Sequence, residues 1–157
     1  MHYPFACVVA ASGEVPSRYK QMYLLDTNVV SELRKRKPHG AVLAWIEGVD
    51  DTSLFLSAVT IGEIQAGIEK TREIDAAKAG EIEQWLELLA GSHDVLPMDA
   101  AVFREWGRLA HRKSAALIED AMIAATARVH RLTVVTRNVA DFRQLGVAIL
   151  DPFKTAK

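Results

Sequence analysis

Short apolar runs alternate along this chain with longer stretches in which apolar residues recur every three or four positions. Tyr23 to Leu25, Leu54 to Leu56, Val95 to Pro97, Thr133 to Thr136 and Val147 to Ile149 are the short runs, and each reads as a strand. Between them the pattern predicts helices. Thr27 to Arg36 carries Val29, Val30 and Leu33 on one side, with Pro38 just beyond its end. Ala41 to Val49 spaces Val42, Trp45, Ile46 and Val49 at helical intervals. Ser57 or Thr60 opens a helix bearing Ile61, Ile64 and Ile68. Glu73 to Ala90 holds the stripe Ile82, Trp85, Leu86 and Leu89, with Gly91 as its stop. Asp99 caps a helix containing Val102, Phe103, Trp106, Leu109 and Ala110. Ile118 to Val129 and a short piece around Val139 to Leu145 complete the set. Strands separated by helices predict an α/β fold with a mostly parallel sheet of four to five strands and helices on both faces.

In such sheets ligands bind beyond the carboxyl ends of the strands, so acids at those ends carry the most information. Asp26 stops the apolar run Tyr23–Leu25. Glu63 lies in the first turn or so after the second strand, and Asp141 follows "VVTRN" after the fourth. Asp120 opens the helix that precedes that fourth strand. At about 100° per residue, one face of that helix is Ile118, Ala121, Met122, Ala125 and Val129. Asp120 stands nearly opposite, beside Ile123, Ala124 and Ala127. A helix that is apolar on both sides is buried, and a buried carboxylate needs a partner or a metal. Positions three and four away hold Ala116, Leu117, Ile123 and Ala124, so no local cation answers Asp120.

Each acid also has a purely structural reading. Asp26 is a candidate helix cap. Glu63 fits a capping box with Thr60, Asp120 gains from the helix macrodipole, and Asp141 fits as the third-position partner of an Asn138 cap. Four carboxylates converging on one edge would repel one another unless a cation lay between them. Oxygen donors of this kind suit Mg²⁺, which keeps several waters and takes one or two carboxylates plus phosphate.

Composition narrows the alternatives. The 157 residues fit one domain, half of them hydrophobic, so there is material for a core. The net charge of −1 argues against nucleic-acid binding by bulk charge alone. Cys7 has no partner in the chain, which points to a reducing, cytoplasmic setting. Five histidines without an His-x-x-x-His pair give zinc little support. No G-x-S-x-G, P-loop or G-x-G-x-x-G occurs. No apolar run reaches the roughly 18 residues of a membrane span. Residues 1 to 21 read as a poorly ordered N-terminal extension. Pro4 and the absence of a basic start argue against a signal peptide. Residues 22 to 152 form the domain, and 153 to 157 a C-terminal tail.

Together, "LLDTNVVSEL", "LSAVTIGEIQAGIEK", "IEDAMIAATA" and "VVTRNVADF" resemble the PIN-domain family, and in particular its VapC-type toxins, including the FitB-like branch. The resemblance runs from about Met22 to Pro152. It implies a three-layer PIN-like fold and a ribonuclease using Mg²⁺, with Mn²⁺ able to substitute, that leaves a 5′-phosphate and a 3′-hydroxyl. It places the metal-binding and catalytic set on Asp26, Glu63, Asp120 and Asp141. Thr136 and Asn138 match supporting positions, as do Asn28 and Ser31. It also implies an RNA substrate, a cognate antitoxin and a homodimer. The basic run Arg34, Lys35, Arg36 and Lys37 reads either as a solvated helix end or as an RNA phosphate contact. Trp45, Trp85 and Trp106 read as core or dimer contacts. Two competing readings remain. A phosphatase of the haloacid-dehalogenase kind would need an acid where Asn28 stands. A catalytically silent PIN-fold binding module would not need to keep four repelling carboxylates.

Overall fold

The computed structural model describes residues 20–154. The extension expected over residues 1 to 21 lies, up to residue 19, outside the described residues, as do Cys7 and the last three residues of the tail. Lys20 and Gln21 are tied to the domain. The Lys20 ammonium meets Asp50 at 2.7 Å, and the Gln21 amide donates to the Thr133 hydroxyl.

Five strands form one all-parallel sheet. They are β1 (Tyr23–Leu25), β2 (Leu54–Ser57), β3 (Asp94–Leu96), β4 (Thr133–Val135) and β5 (Ile149–Leu150), in spatial order β3-β2-β1-β4-β5. Among the described residues seven α-helices surround it. They are α1 (Thr27–Leu33), α2 (Gly40–Glu47), α3 (Ala58–Arg72), α4 (Ala76–Ser92), α5 (Ala100–Ala110), α6 (Ile118–His130) and α7 (Val139–Gln144). The expected α/β architecture is the observed one.

Successive side chains of a strand point to opposite faces, and the sheet divides its apolar residues accordingly. Leu25, Leu54, Leu56 and Val135 join Val29, Val30, Val42, Ile64, Ile68 and Leu86 from α1 to α4 in one core. Leu24 and Val134 join Ala121, Ile123, Ala124, Ala127, Phe142 and Leu145 from α6 and α7 in the other, with α5 packed against it through Trp106 and Leu109. The three layers are therefore helices, sheet, helices. The three tryptophans lie against these cores. Trp45 packs edge-on to Tyr23 at 5.1 Å between ring centroids, and Trp85 belongs to the same core.

Several boundaries differ from the sequence expectation, each for a local reason. α1 ends at Leu33, not Arg36, because buried Glu32 accepts from the His39 backbone N–H (2.8 Å) and from Lys35, which turns the chain back. The basic run 34–37 is thus a turn beyond the helix. α4 starts at Ala76 under an Asp75 cap and runs through Gly91 to Ser92. Gly91 is no stop, because the Ser92 hydroxyl donates to the Leu89 carbonyl (3.2 Å) and the His93 ring lies 3.3 Å from the same oxygen. β5 begins two residues later than expected and ends one later, after a turn in which Gly146 takes φ +63°.

Ile68 and Ile74 test this placement, being 1% and 90% exposed. Ile68→Ala should lose about 2–5 kcal/mol in urea unfolding, and Ile74→Ala less than about 0.5 kcal/mol. Equal losses would contradict the packing of α3.

Candidate active site

The site begins with register. Leu25 of β1 lies opposite both Leu56 of β2 and Val135 of β4, so the next residue, Asp26, emerges beside Ser57 and Thr136. Its N–H still donates to the Val135 carbonyl at 2.9 Å, which fixes it as the last residue of the sheet ladder. β1 is the point where strand order turns, with β2 on one side and β4 on the other. Such switch points are where open α/β sheets bind ligands.

Asp26 is only 4% exposed, and each carboxylate oxygen is held. Oδ1 accepts from the Thr27 N–H at 2.8 Å, so Asp26 does cap α1. Oδ2 accepts from the Thr136 hydroxyl at 2.7 Å and from the Asn28 amide at 3.0 Å. Thr136 in turn accepts from the Asn138 N–H at 2.9 Å, and Asn28 Oδ1 accepts from the Arg137 N–H at 3.2 Å. Burial raises the Asp26 carboxyl above its ordinary value, and these donors pull it back.

Three of the expected acids lie around Asp26. Glu63 sits two turns into α3, whose cap is Ser57 through its bond from the Val59 N–H (3.1 Å). A capping box with Thr60 is therefore excluded. Asp120 lies in the first turn of α6 and Asp141 in the first turn of α7. Asn138 makes no side-chain cap, so the capping-box reading of Asp141 also falls. The middle of α6 is buried on both sides, through Ala121, Ile123, Ala124, Ala125 and Ala127, though Ile118 and Val129 at its ends are exposed.

Electrostatics tie the group together. Burial, and then the charges of Glu119, Asp26 and Asp120, push Glu63 up to about 7, while the Thr27 hydroxyl opposes the rise. Burial, then Asp26, Asp141 and Glu119, push Asp120 up to about 6. Glu119 and Thr27 are additions to the expected set. Glu119 was legible only as the neighbour of Asp120. Thr27, whose hydroxyl oxygen also lies 3.1 Å from that of Thr60, was hidden in the helix start. Ser31, one turn further along α1, makes no side-chain hydrogen bond among the described residues.

No Lys, Arg or His among the described residues forms an ion pair with Asp26, Glu63, Glu119, Asp120 or Asp141. The acids do not close into a cage either. Among the described residues no three His, Cys, Asp or Glu side chains stand close enough to hold an ion unaided. Carboxylates without an ion-pair partner fit a hard cation that retains water and takes few protein ligands.

The arrangement defines a class: a three-layer α/β domain whose sheet gathers acids at its switch point. The chain belongs to the PIN-domain family, matching the PIN domain over residues 23–147. It is 39% identical over 145 residues to VapC ribonuclease Y4jK of Sinorhizobium fredii, covering 86% of this chain and all of that protein. It is 35% identical over 142 residues to Toxin FitB of Neisseria gonorrhoeae, covering 84% and 99%. The crystal structure of FitAcB from Neisseria gonorrhoeae superposes with a TM-score of 0.75 at 32% identity, covering 85% of this chain and 100% of that chain.

The raised carboxyls set a pH dependence. The Glu63 carboxyl is ordinarily near 4.5 and here near 7, so between those values the folded state binds more protons than the unfolded one. The stability it contributes is full below pH 4.5 and lost as pH rises through 7. Asp120, moved from 3.8 to about 6, acts in the same direction. In EDTA the melting temperature should fall from pH 5 to pH 8, and Glu63→Gln should flatten the upper part of that fall. An unchanged slope in the variant would remove Glu63 from the coupled group.

Proposed function

We propose that this protein is an endoribonuclease, the toxin of a toxin–antitoxin pair, which hydrolyses RNA phosphodiesters with Mg²⁺ or Mn²⁺ at the acidic edge. The carrying observation is the convergence of carboxylates from the starts of α1, α6 and α7 and from the second turn of α3, with no ion-pair partner among the described residues. The relatives named VapC ribonuclease and Toxin FitB support the RNA substrate and the toxin role.

Asp26, Glu63, Asp120 and Asp141 would hold the cation between them, one or two directly and the rest through its waters. When bound, it supplies charge stabilisation at the scissile phosphate and a water of lowered pKa. The chain's own groups do the rest. Thr136 and Asn28 hold Asp26 Oδ2, so that carboxylate cannot swing when RNA arrives. Glu63, across the cleft on α3, orients the attacking water and takes its proton. A cognate antitoxin, acting on a homodimer of this chain, would silence the site by placing an Arg among the acids, where its guanidinium pairs with a carboxylate.

Asp120→Asn separates this reading from a silent binding module. It removes one negative charge and keeps the shape. Without metal the variant should melt at or above the parent's temperature. Mn²⁺ should stabilise the parent by about 2.7 kcal/mol at a hundredfold excess over its dissociation constant, and the variant far less. RNA cutting should fall to background in the variant. If neither protein responds to Mn²⁺ and neither cuts RNA, the silent module is the better description.

A further inference from the structure

A second feature shares the turn that follows β4. A cavity of about 570 Å³ opens beside it, with His39, Arg137, Arg143, Asp151, Phe153 and Lys154 on its wall. Arg137, Arg143 and Lys154 are basic side chains, and all three are exposed. Among the described residues none of them forms an ion pair. The one acid on the wall, Asp151, spends Oδ1 on the Phe153 N–H at 3.0 Å.

The cavity is organised. The Arg137 guanidinium lies 4.4 Å from the Phe153 ring centroid, and His39 meets another side of that ring at 5.3 Å. Cation–π contact of this kind holds a guanidinium in place while leaving its N–H groups free to donate. The Arg137 N–H is meanwhile bound to Asn28, which also holds Asp26. So the segment 136–141 carries the Thr136 hydroxyl and Asp141 on the side of the acids and lines the cavity with Arg137. A cationic cavity adjoining a carboxylate cluster suits a polyanion that must reach past those carboxylates. This cationic surface adjoins the segment that carries Asn138 and Asp141. In the run 34–37, by contrast, Lys35 is already taken by Glu32.

We infer that this cavity is a subsite for an RNA backbone phosphate flanking the scissile one, gripped by Arg137, Arg143 and Lys154. The inference rests on the RNA-cutting reading and adds where the strand is held. Arginine forks match phosphate oxygens bidentately, and a phosphate contact positions the strand without reading its sequence. The subsite therefore contributes binding common to ground and transition states.

The test uses Arg143→Gln and Lys154→Gln, singly and together. Both residues are exposed and outside the network around Asp26, and circular dichroism melts confirm the fold. Initial rates of cutting of a fluorescent single-stranded RNA are measured with Mn²⁺ over a range of salt. The double variant should raise KM on the order of ten-fold near 0.1 M salt, with kcat unchanged. The salt slope should fall by roughly 0.7 for each cation removed. Unchanged KM and slope in a parent that cuts RNA overturn the subsite alone. The same holds if KM is unchanged and the variants instead lose affinity for a protein partner. A parent that binds RNA in EDTA through Arg143 and Lys154 but never cuts it overturns the cutting and leaves the subsite. A parent that neither cuts nor binds RNA overturns both.

Discussion

The burial of several like charges at the carboxyl edge of the sheet is the constraint on which this structure turns. Two unit charges about 4 Å apart interact by roughly 4 kcal/mol at the effective dielectric of a protein surface. Asp26, Glu63, Glu119, Asp120 and Asp141 all contribute to that field, and burial first, then these charges, leave a Glu63 carboxyl near 7 and an Asp120 carboxyl near 6. A domain that concentrates charge in this way must draw its stability from elsewhere. The two apolar layers supply it, and both are anchored on strands whose inward residues are fully buried. Function and stability are thus separated in space, with the cost confined to one edge.

The parallel sheet is what makes the convergence possible. All five strands end on the same side, so each helix that follows a strand starts there. α6, which runs back before β4, starts there too. Asp26 caps α1, while Asp120 and Asp141 occupy the first turns of α6 and α7. The partial positive charge at a helix start favours anions but fades within the first turn. Glu63, two turns into α3, receives least of it. The structural and functional readings of these acids are therefore not rivals at every position. Helix starts temper the repulsion that a cation would relieve.

Much of this was legible in the sequence, and what was missed has physical reasons. Element types followed from the periodicity, and the four acids stood out because each interrupts an apolar pattern at an element's end. Boundaries were less legible because tertiary groups set them. Glu32 ended α1 by bonding His39, seven residues on, and Ser92 with His93 carried α4 past a glycine. The hydrogen bond from Thr136 to Asp26 spans 110 residues, and no local pattern announces it. Thr136 was found through its motif instead. The cationic cavity escaped for the same reason. His39, Arg137 and Phe153 come from distant parts of the chain, while the conspicuous run 34–37 lies in a turn partly neutralised by Glu32.

Lone pairs decide how Asp26 can serve both as cap and as ligand. Each carboxylate oxygen accepts about two hydrogen bonds. Oδ2 is filled by Thr136 and Asn28, whereas Oδ1 takes only the Thr27 N–H. One direction remains open, so Asp26 can offer a cation a single oxygen without breaking any bond that positions it. Glu63 meets only the Thr27 hydroxyl, and Asp120 and Asp141 accept no side-chain hydrogen bond among the described residues, so they keep oxygens available. The group thus combines one rigid, monodentate carboxylate with others free to adjust. That suits a small cation demanding near-octahedral angles while retaining waters for the reaction. The acids stand too far apart to form a closed cage, so a cation held here would keep ligand positions for water or a phosphate oxygen.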